Sequence, residues 1–108
     1  PFDHIMFVLE GCYGPIPEKC GWAAYAGGHW WMQVYQGDAY LWSAVQMHEY
    51  GHNLGMGHSG GLDGKGYTDH TCLMGNPLYK DDIGKMCFNP AKSFYLGWYN
   101  DGGIVTHD

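Results

Sequence analysis

The chain is short of basic residues and of long hydrophobic runs, and both shortages exclude classes of function. Five Lys and Arg residues stand against eleven Asp and Glu residues, and the net charge is −6. A surface that binds phosphate needs the opposite balance, so nucleic acid is not an expected partner. No stretch approaches the roughly 18 apolar residues that cross a bilayer, so no membrane span is expected.

The chain is also short, at 108 residues, and it opens on Pro1 without an initiator methionine or a visible signal peptide. This length suits one domain or part of one. No internal repeat and no linker divides it, so we interpret residues 1–108 as a single, partial domain that acts as a monomer. We expect a fragment or a processed core whose N-terminal sheet is short of strands.

The four cysteines, Cys12, Cys20, Cys72 and Cys87, lack the Cys-x-x-Cys spacing of a zinc ribbon. Two disulfides are the simplest interpretation and imply an oxidising, extracellular compartment. Of the three possible pairings we favour Cys12–Cys20 with Cys72–Cys87, because each closes a short loop within one half of the chain. Four buried, reduced thiols are the alternative, since no sequence feature fixes the compartment.

Apolar segments and glycine-rich breaks predict an α+β fold. Residues 2–9 are expected to form a buried strand, and residues 22–26 and 29–35 two further strands. The glycine pair at 27–28 lies between the last two, which predicts a hairpin.

Two helices are expected. Asp38 is a suitable N-cap for a helix over residues 39–54, in which Gly51 costs about 1 kcal/mol relative to alanine. Such a glycine would be explained if another segment packs tightly against that turn. Asn89-Pro90 predicts a second helix over residues 90–96.

The run from His48 to His58 (HEYGHNLGMGH) carries the chemistry. In a helix, His48 and His52 stand one turn apart on the same face, so both imidazoles can reach one metal ion. Glu49 lies close enough to act on a water at the metal without being a ligand. Gly55 ends the helix and reverses the chain, and His58 returns as the third ligand. Three protein ligands leave a fourth position open, which is typical of catalytic zinc.

The alternative interpretation of this run is a surface helix with incidental histidines. The added glycine and third histidine match the metzincin signature, which also predicts a methionine turn further along the chain. Residues 71–75 fit that turn. Met74 would lie beneath the metal as a packing floor, since a thioether has no proton chemistry.

One catalytic Zn²⁺ is therefore expected. Zinc held by three neutral imidazoles lowers the pKa of a bound water toward 7. Glu49 would take a proton from this metal-activated water and deliver it to the departing amine of a cleaved peptide bond. Calcium is not expected, because residues 63–66 lack the alternating oxygen ligands of a calcium loop.

Residues 48–99 resemble the gametolysin family of metzincin endopeptidases. The similarity lies in the zinc motif, in Cys-Leu-Met-Gly at 72–75, and in the 87–99 segment that ends in Leu-Gly-Trp-Tyr. The resemblance implies a metzincin-like (zincin) catalytic domain with a few strands, a zinc-site helix, a Met-turn and a C-terminal helix. It also implies a secreted endopeptidase that cleaves extracellular-matrix or cell-wall glycoproteins.

The resemblance further implies two substrate-binding segments. The first is an edge strand along which an extended substrate lies, formed by Trp22, Ala23, Ala24 and Tyr25. The second is similar to the segment that lines the first primed-side pocket of matrixins, with one residue more after the methionine, and consists of Pro77, Leu78 and Tyr79.

A non-catalytic relative that binds zinc or substrate, or an inactive fragment of such an enzyme, is the alternative function. Glu49 favours the enzyme, because a protein without catalysis has no need of a base at that position.

Overall fold

Runs of β-branched, aromatic and unbranched apolar residues form a three-stranded sheet in a computed structural model of the protein, which describes residues 1–11, 21–76 and 86–99. Strands β1 (Ile5–Leu9), β2 (Ala24–Ala26) and β3 (Met32–Gln36) come first in the chain. Helices α1 (Ser43–Asn53) and α2 (Pro90–Tyr95) follow them. The chain is thus α+β, as the sequence predicts.

The strand order in the sheet is β1-β3-β2. β1 runs parallel to β3, with Ile5 opposite Met32. β2 runs antiparallel to β3, with Ala24 opposite Tyr35. The hairpin predicted from the glycine pair is confirmed by this antiparallel pairing, and it leaves β2 at one edge of the described sheet.

The expectation that the first strand is buried is wrong. All five residues of β1 are exposed within the described part of the chain. The reason is that α1 packs mainly against β2 and β3 and leaves β1, the other edge strand of the described sheet, largely uncovered. An apolar run alone therefore identified a strand and did not identify what covers it.

The predicted start of the zinc-site helix is also wrong. A 3₁₀ turn occupies Gly37–Leu41, and Asp38 lies in its first turn without capping α1. Trp42 is extended, at φ −95° and ψ 112°, and serves as the N-cap residue of α1. This extended residue separates the two helical segments, so the α-helix begins at Ser43 rather than Ala39.

Gly51 is the point where α1 meets the rest of the core. A Cβ atom at this position would collide with the sulfur of Met74 and press on Met56 and Phe88. Met74 is fully buried in the same hydrophobic cluster. The close packing that would account for a glycine inside the helix is therefore present.

A buried polar network joins the end of α1 to the sheet. Asn53 accepts a hydrogen bond from Gln33 Nε2 at 2.9 Å, and Gln33 Oε1 accepts one from the buried Tyr35 hydroxyl at 2.7 Å. The Asn53 amide donates to the carbonyl oxygens of Gly27 at 3.0 Å and Met32 at 3.2 Å. One side chain thus holds the helix against β3 and the turn that connects it to β2.

The hairpin turn also contacts the end of α1. The His29 amide donates to the His52 carbonyl at 3.3 Å. The His29 ring lies so close to Gly55 that a Cβ atom there would collide with it. Gly55 has a φ of +89°, as expected of a glycine that ends a helix.

Helix α2 confirms the predicted start signal. Asn89 is its N-cap and accepts a hydrogen bond from the Lys92 amide at 2.9 Å, with Pro90 in the first turn. The side-chain amide of Asn89 also donates to Asp69 Oδ2 at 3.0 Å, which ties α2 to the segment just before the turn at residues 71–75.

The proposed Cys72–Cys87 disulfide is wrong in this structure, where both residues are free thiols. They face each other in an isolated parallel bridge, but Cys72 is buried and Cys87 is exposed. The Cys72 sulfur instead accepts hydrogen bonds from Ser59 Oγ at 3.3 Å and from the backbone amide of Asn89 at 3.2 Å. The Cys12–Cys20 pair lies outside the described residues.

The two α-helices are short, and neither could cross a membrane; no helix in the described ranges has the length and apolarity to do so.

Replacing Gly51 with alanine should lower the free energy of unfolding. Overpacking a core costs about 1–3 kcal/mol, and here it acts against a fully buried sulfur. This exceeds the roughly 1 kcal/mol that alanine gains in helix propensity. Urea denaturation measures the change. Gly57→Ala is the matched control, because no atom lies within 4 Å of a Cβ there; equal stability of the two variants would contradict the close packing.

Asn53→Asp should also destabilise the fold. The substitution puts an acceptor where Asn53 now donates to two carbonyl oxygens. An unsatisfied buried polar group costs about 1–3 kcal/mol, and more when it is charged. Thermal unfolding compares it with Asn76→Asp, the same change at an exposed residue. Similar unfolding temperatures for both variants would show that the network does not hold the helix to the sheet.

Candidate metal centre

Three histidines converge at one end of α1. His48 and His52 lie one turn apart within the helix, and His58 follows after the chain has reversed at Gly55. One ring nitrogen of each residue lies within 4.8 Å of the other two, so the group could hold a metal ion. The structure therefore brings together the three ligands that the sequence predicts.

Hydrogen bonds to backbone carbonyls orient the two helical histidines. His48 Nδ1 lies 2.5 Å from the Leu73 oxygen, and His52 Nδ1 lies 2.8 Å from the Met56 oxygen. A carbonyl oxygen can only accept, so each Nδ1 carries the proton. In the neutral ring, each Nε2 then has a free lone pair, which is the form that a metal ligand requires.

The spacing of the donor atoms suits a small divalent cation. Two nitrogens bound to tetrahedral zinc at about 2.0–2.1 Å stand about 3.3 Å apart. His52 Nε2 and His58 Nε2 are 3.0 Å apart. A set of three imidazole nitrogens favours zinc over calcium or magnesium, which prefer oxygen ligands.

The lowered pKa values of His48 and His58 keep these two imidazoles neutral at neutral pH. Desolvation lowers the pKa of His48, although its hydrogen bond to Leu73 opposes the shift. The pKa of His58 falls to about 4, chiefly through partial burial and then through the nearby His52, His48 and Lys92. No proton therefore has to be displaced before these two rings can act as ligands.

Glu49 lies beside the histidines, and one of its carboxylate oxygens forms no hydrogen bond with the described residues. It is buried, and its Oε2 has no hydrogen-bond partner in the described part of the chain. Burial raises the pKa of this carboxyl group to about 7. A carboxyl group with such a pKa can both take and return a proton near neutral pH, which is what a general base requires.

The turn at residues 71–75 supports the cluster from below. Its Leu73 carbonyl orients His48, and the Met74 carbonyl accepts a hydrogen bond from the Ser59 amide at 2.7 Å. Because Ser59 follows His58 directly, this second bond fixes the start of the loop beyond the third histidine. The Met74 side chain packs against Gly51.

An open cleft of about 470 Å³ exposes the cluster. Its walls include the proposed substrate strand, namely Trp22, Ala23, Ala24 and Tyr25. Glu49 and the three histidines line the same cleft, with Tyr67 and Asn76. The other proposed substrate segment, Pro77, Leu78 and Tyr79, lies outside the described residues.

Two supporting residues were not found from the sequence. The Lys92 ammonium group donates to the Gly57 carbonyl at 2.8 Å, so α2 holds the loop that carries His58. The Tyr67 ring lies against His58, with 3.8 Å between the ring centroids. Neither residue belongs to a local motif, because each reaches the site only through the fold.

Comparison with known proteins agrees with this geometry. Neither curated proteins nor solved structures give a significant match to the chain. A family model described as gametolysin peptidase M11 matches residues 2–105, which is nearly the whole chain. This match extends well beyond the zinc motif, and its metallopeptidase character fits a cluster of three histidines. The chain therefore belongs to the gametolysin family of M11 peptidases.

Proposed function

We propose that this protein is a zinc-dependent endopeptidase with Glu49 as its general base. One observation carries the proposal: a buried carboxylate oxygen without a partner lies beside three converging imidazoles, on the wall of an open cleft. Unpartnered buried polar atoms are rare in folded proteins, and a catalytic role is one recognised reason for them. The family match supports peptide-bond hydrolysis as the reaction.

His48, His52 and His58 would hold the metal, which in such sites polarises the scissile carbonyl and lowers the pKa of a coordinated water. The protein's own contribution is to fix the ligands in advance. His48 and His52 are oriented by backbone carbonyls, so their lone pairs point into the cleft without rearrangement.

Glu49 would move the proton. Its carboxylate takes a proton from the attacking water and passes it to the nitrogen of the departing amine. Because Oε2 has no partner in the described part of the chain, it can accept that proton without breaking a bond within the protein. Burial favours the protonated intermediate state, since it raises the pKa of the group to about 7.

Strand β2 supports an extended substrate as the occupant of the cleft. It is an edge strand of the described sheet, and residues 22–25 line the same cleft as the histidines. An extended peptide can add to such an edge through backbone hydrogen bonds. The resemblance to the family supports secreted glycoproteins of the matrix or cell wall as substrates, a metzincin-like arrangement of the domain, and action as a monomer.

The sharpest test of the base is Glu49→Gln. The amide keeps the size of the side chain and cannot take the proton, so kcat/KM should fall by about 100- to 10,000-fold while zinc content is unchanged. Hydrolysis of a fluorogenic peptide library measures the first quantity and elemental analysis the second. Glu10→Gln, at an exposed position, is the matched control. Wild-type rates in the zinc-loaded Glu49→Gln protein would rule out Glu49 as the base.

The metal assignment predicts one zinc per chain and loss of hydrolysis on treatment with a chelator. His58→Ala should weaken zinc binding, because two ligands remain where three converge. His70→Ala, an exposed histidine outside the cluster, should bind zinc like the wild type. Chelator competition measures both affinities, and equal affinities in the two variants would remove His58 from the ligand set.

The same experiment separates the enzyme from its alternative. One zinc per chain without hydrolysis of any peptide in the library would support a non-catalytic zinc-bound or substrate-binding protein. Zinc-dependent hydrolysis that Glu49→Gln abolishes would support the endopeptidase.

A further inference from the structure

The ring of Tyr67 lies against the cluster formed by the three histidines. Its ring centroid is 3.8 Å from that of His58, with 36° between the planes. The same ring is nearly parallel to His48, at 6.2 Å and 11°. Tyr67 also forms part of the cleft wall, and no motif in the sequence indicates such a role.

The three histidines are not held in the same way. His48 and His52 each direct Nδ1 to a backbone carbonyl oxygen. Within the described part of the chain, His58 forms a ring-nitrogen contact only with His52, at 3.0 Å, so its Nδ1 has no acceptor of this kind. Among the described residues, Tyr67 has the aromatic ring closest to the His58 ring. This contact restrains the orientation of the His58 ring plane, which a hydrogen bond fixes in the other two histidines.

The loop between these two residues is built to bring them together. The Asp69 amide donates to the Ser59 carbonyl at 3.2 Å and closes the loop at its base. Thr68 Oγ1 donates toward Asp63 Oδ1 and accepts from the Gly61 amide at 2.7 Å, which braces the interior. His58 directly precedes Ser59, and Tyr67 lies two residues before Asp69. The bond between Ser59 and Asp69 therefore brings the side chains of His58 and Tyr67 together.

The backbone of Tyr67 supports a role in the site. Its φ is +69°, in the left-handed region that residues with a Cβ atom rarely adopt. A glycine would adopt this conformation without strain. A bulky aromatic residue in this strained conformation points to a contribution from the ring itself.

We propose that Tyr67 is a positioning residue that holds His58 in its metal-binding orientation by ring stacking, in place of the hydrogen bond that orients the other two ligands. This inference rests on the proposed zinc site. It concerns the stacking face of the ring, so phenylalanine should replace tyrosine, whereas small residues should not.

Zinc affinity measured by chelator competition tests the proposal without reference to hydrolysis. Tyr67→Ala should weaken zinc binding by about 10- to 100-fold, the usual effect of removing a group that orients a ligand. Tyr67→Phe should bind zinc like the wild type, because it keeps the ring. Tyr95→Ala, which removes an exposed tyrosine from α2, is the matched control and should leave the affinity unchanged.

Tyr67→Gly separates positioning from stability. Glycine relieves the backbone strain, so the metal-free variant should resist urea at least as well as Tyr67→Ala, yet bind zinc as weakly. A purely structural role would lower the stability of the metal-free protein and leave the zinc affinity of the folded fraction intact. Wild-type zinc affinity in the glycine and alanine variants would overturn the proposal, and so would a Tyr67→Phe affinity as weak as that of Tyr67→Ala.

The outcome is distinguishable from failure of the proposed function. A wild-type protein that binds zinc tightly and hydrolyses no peptide would reject the endopeptidase and leave the Tyr67 comparison valid. A wild-type protein that takes up no zinc would overturn both.

Discussion

The contact between Met74 and Gly51 is the constraint on which the arrangement of the site depends. Only a hydrogen atom at Gly51 lets the Met74 sulfur approach α1 so closely. That approach brings the Leu73 carbonyl within hydrogen-bond distance of His48 and the Met74 carbonyl within reach of the Ser59 amide. One ligand is oriented by the first bond, and the loop after another ligand is anchored by the second. A single small residue thus links the packing of the core to the geometry of the cluster.

The three histidines are held in two different ways, by backbone carbonyls and by side chains. Backbone carbonyls orient the two ligands on the helix, where regular structure fixes both partners. The third ligand lies on a loop, and its supports come from side chains: Lys92 reaches the Gly57 carbonyl from α2, and Tyr67 lies on the His58 ring. Glu49 differs from all three histidines, since its Oε2 has no partner in the described residues. The proposed ligands are restrained and the proposed base is left available, a division that suits catalysis better than structural metal binding.

The parts of the fold that depend on short spacings could be predicted from the sequence. His48 and His52 share a helix face, Gly55 requires a positive φ, and Asn89 caps α2, because each of these follows from neighbours in the chain. The start of α1 could not be predicted, since an extended Trp42 separates it from the preceding turn. The exposure of β1, the absence of a bond between the thiols of Cys72 and Cys87 and the position of Tyr67 depend on which segments meet in space. Local patterns carry no information about such encounters.

The contact of His29 with the end of α1 couples the length of the turn between β2 and β3 to the position of the end of the helix. Its amide bonds the His52 carbonyl, and its ring fills the space beside Gly55. An added or deleted residue between β2 and β3 would shift the strand register and turn inward side chains outward. It would also withdraw the cover from the last turn of the helix that bears the ligands. The length of the connecting turn is therefore constrained. Insertions that an ordinary surface loop would tolerate are expected to be excluded from this turn.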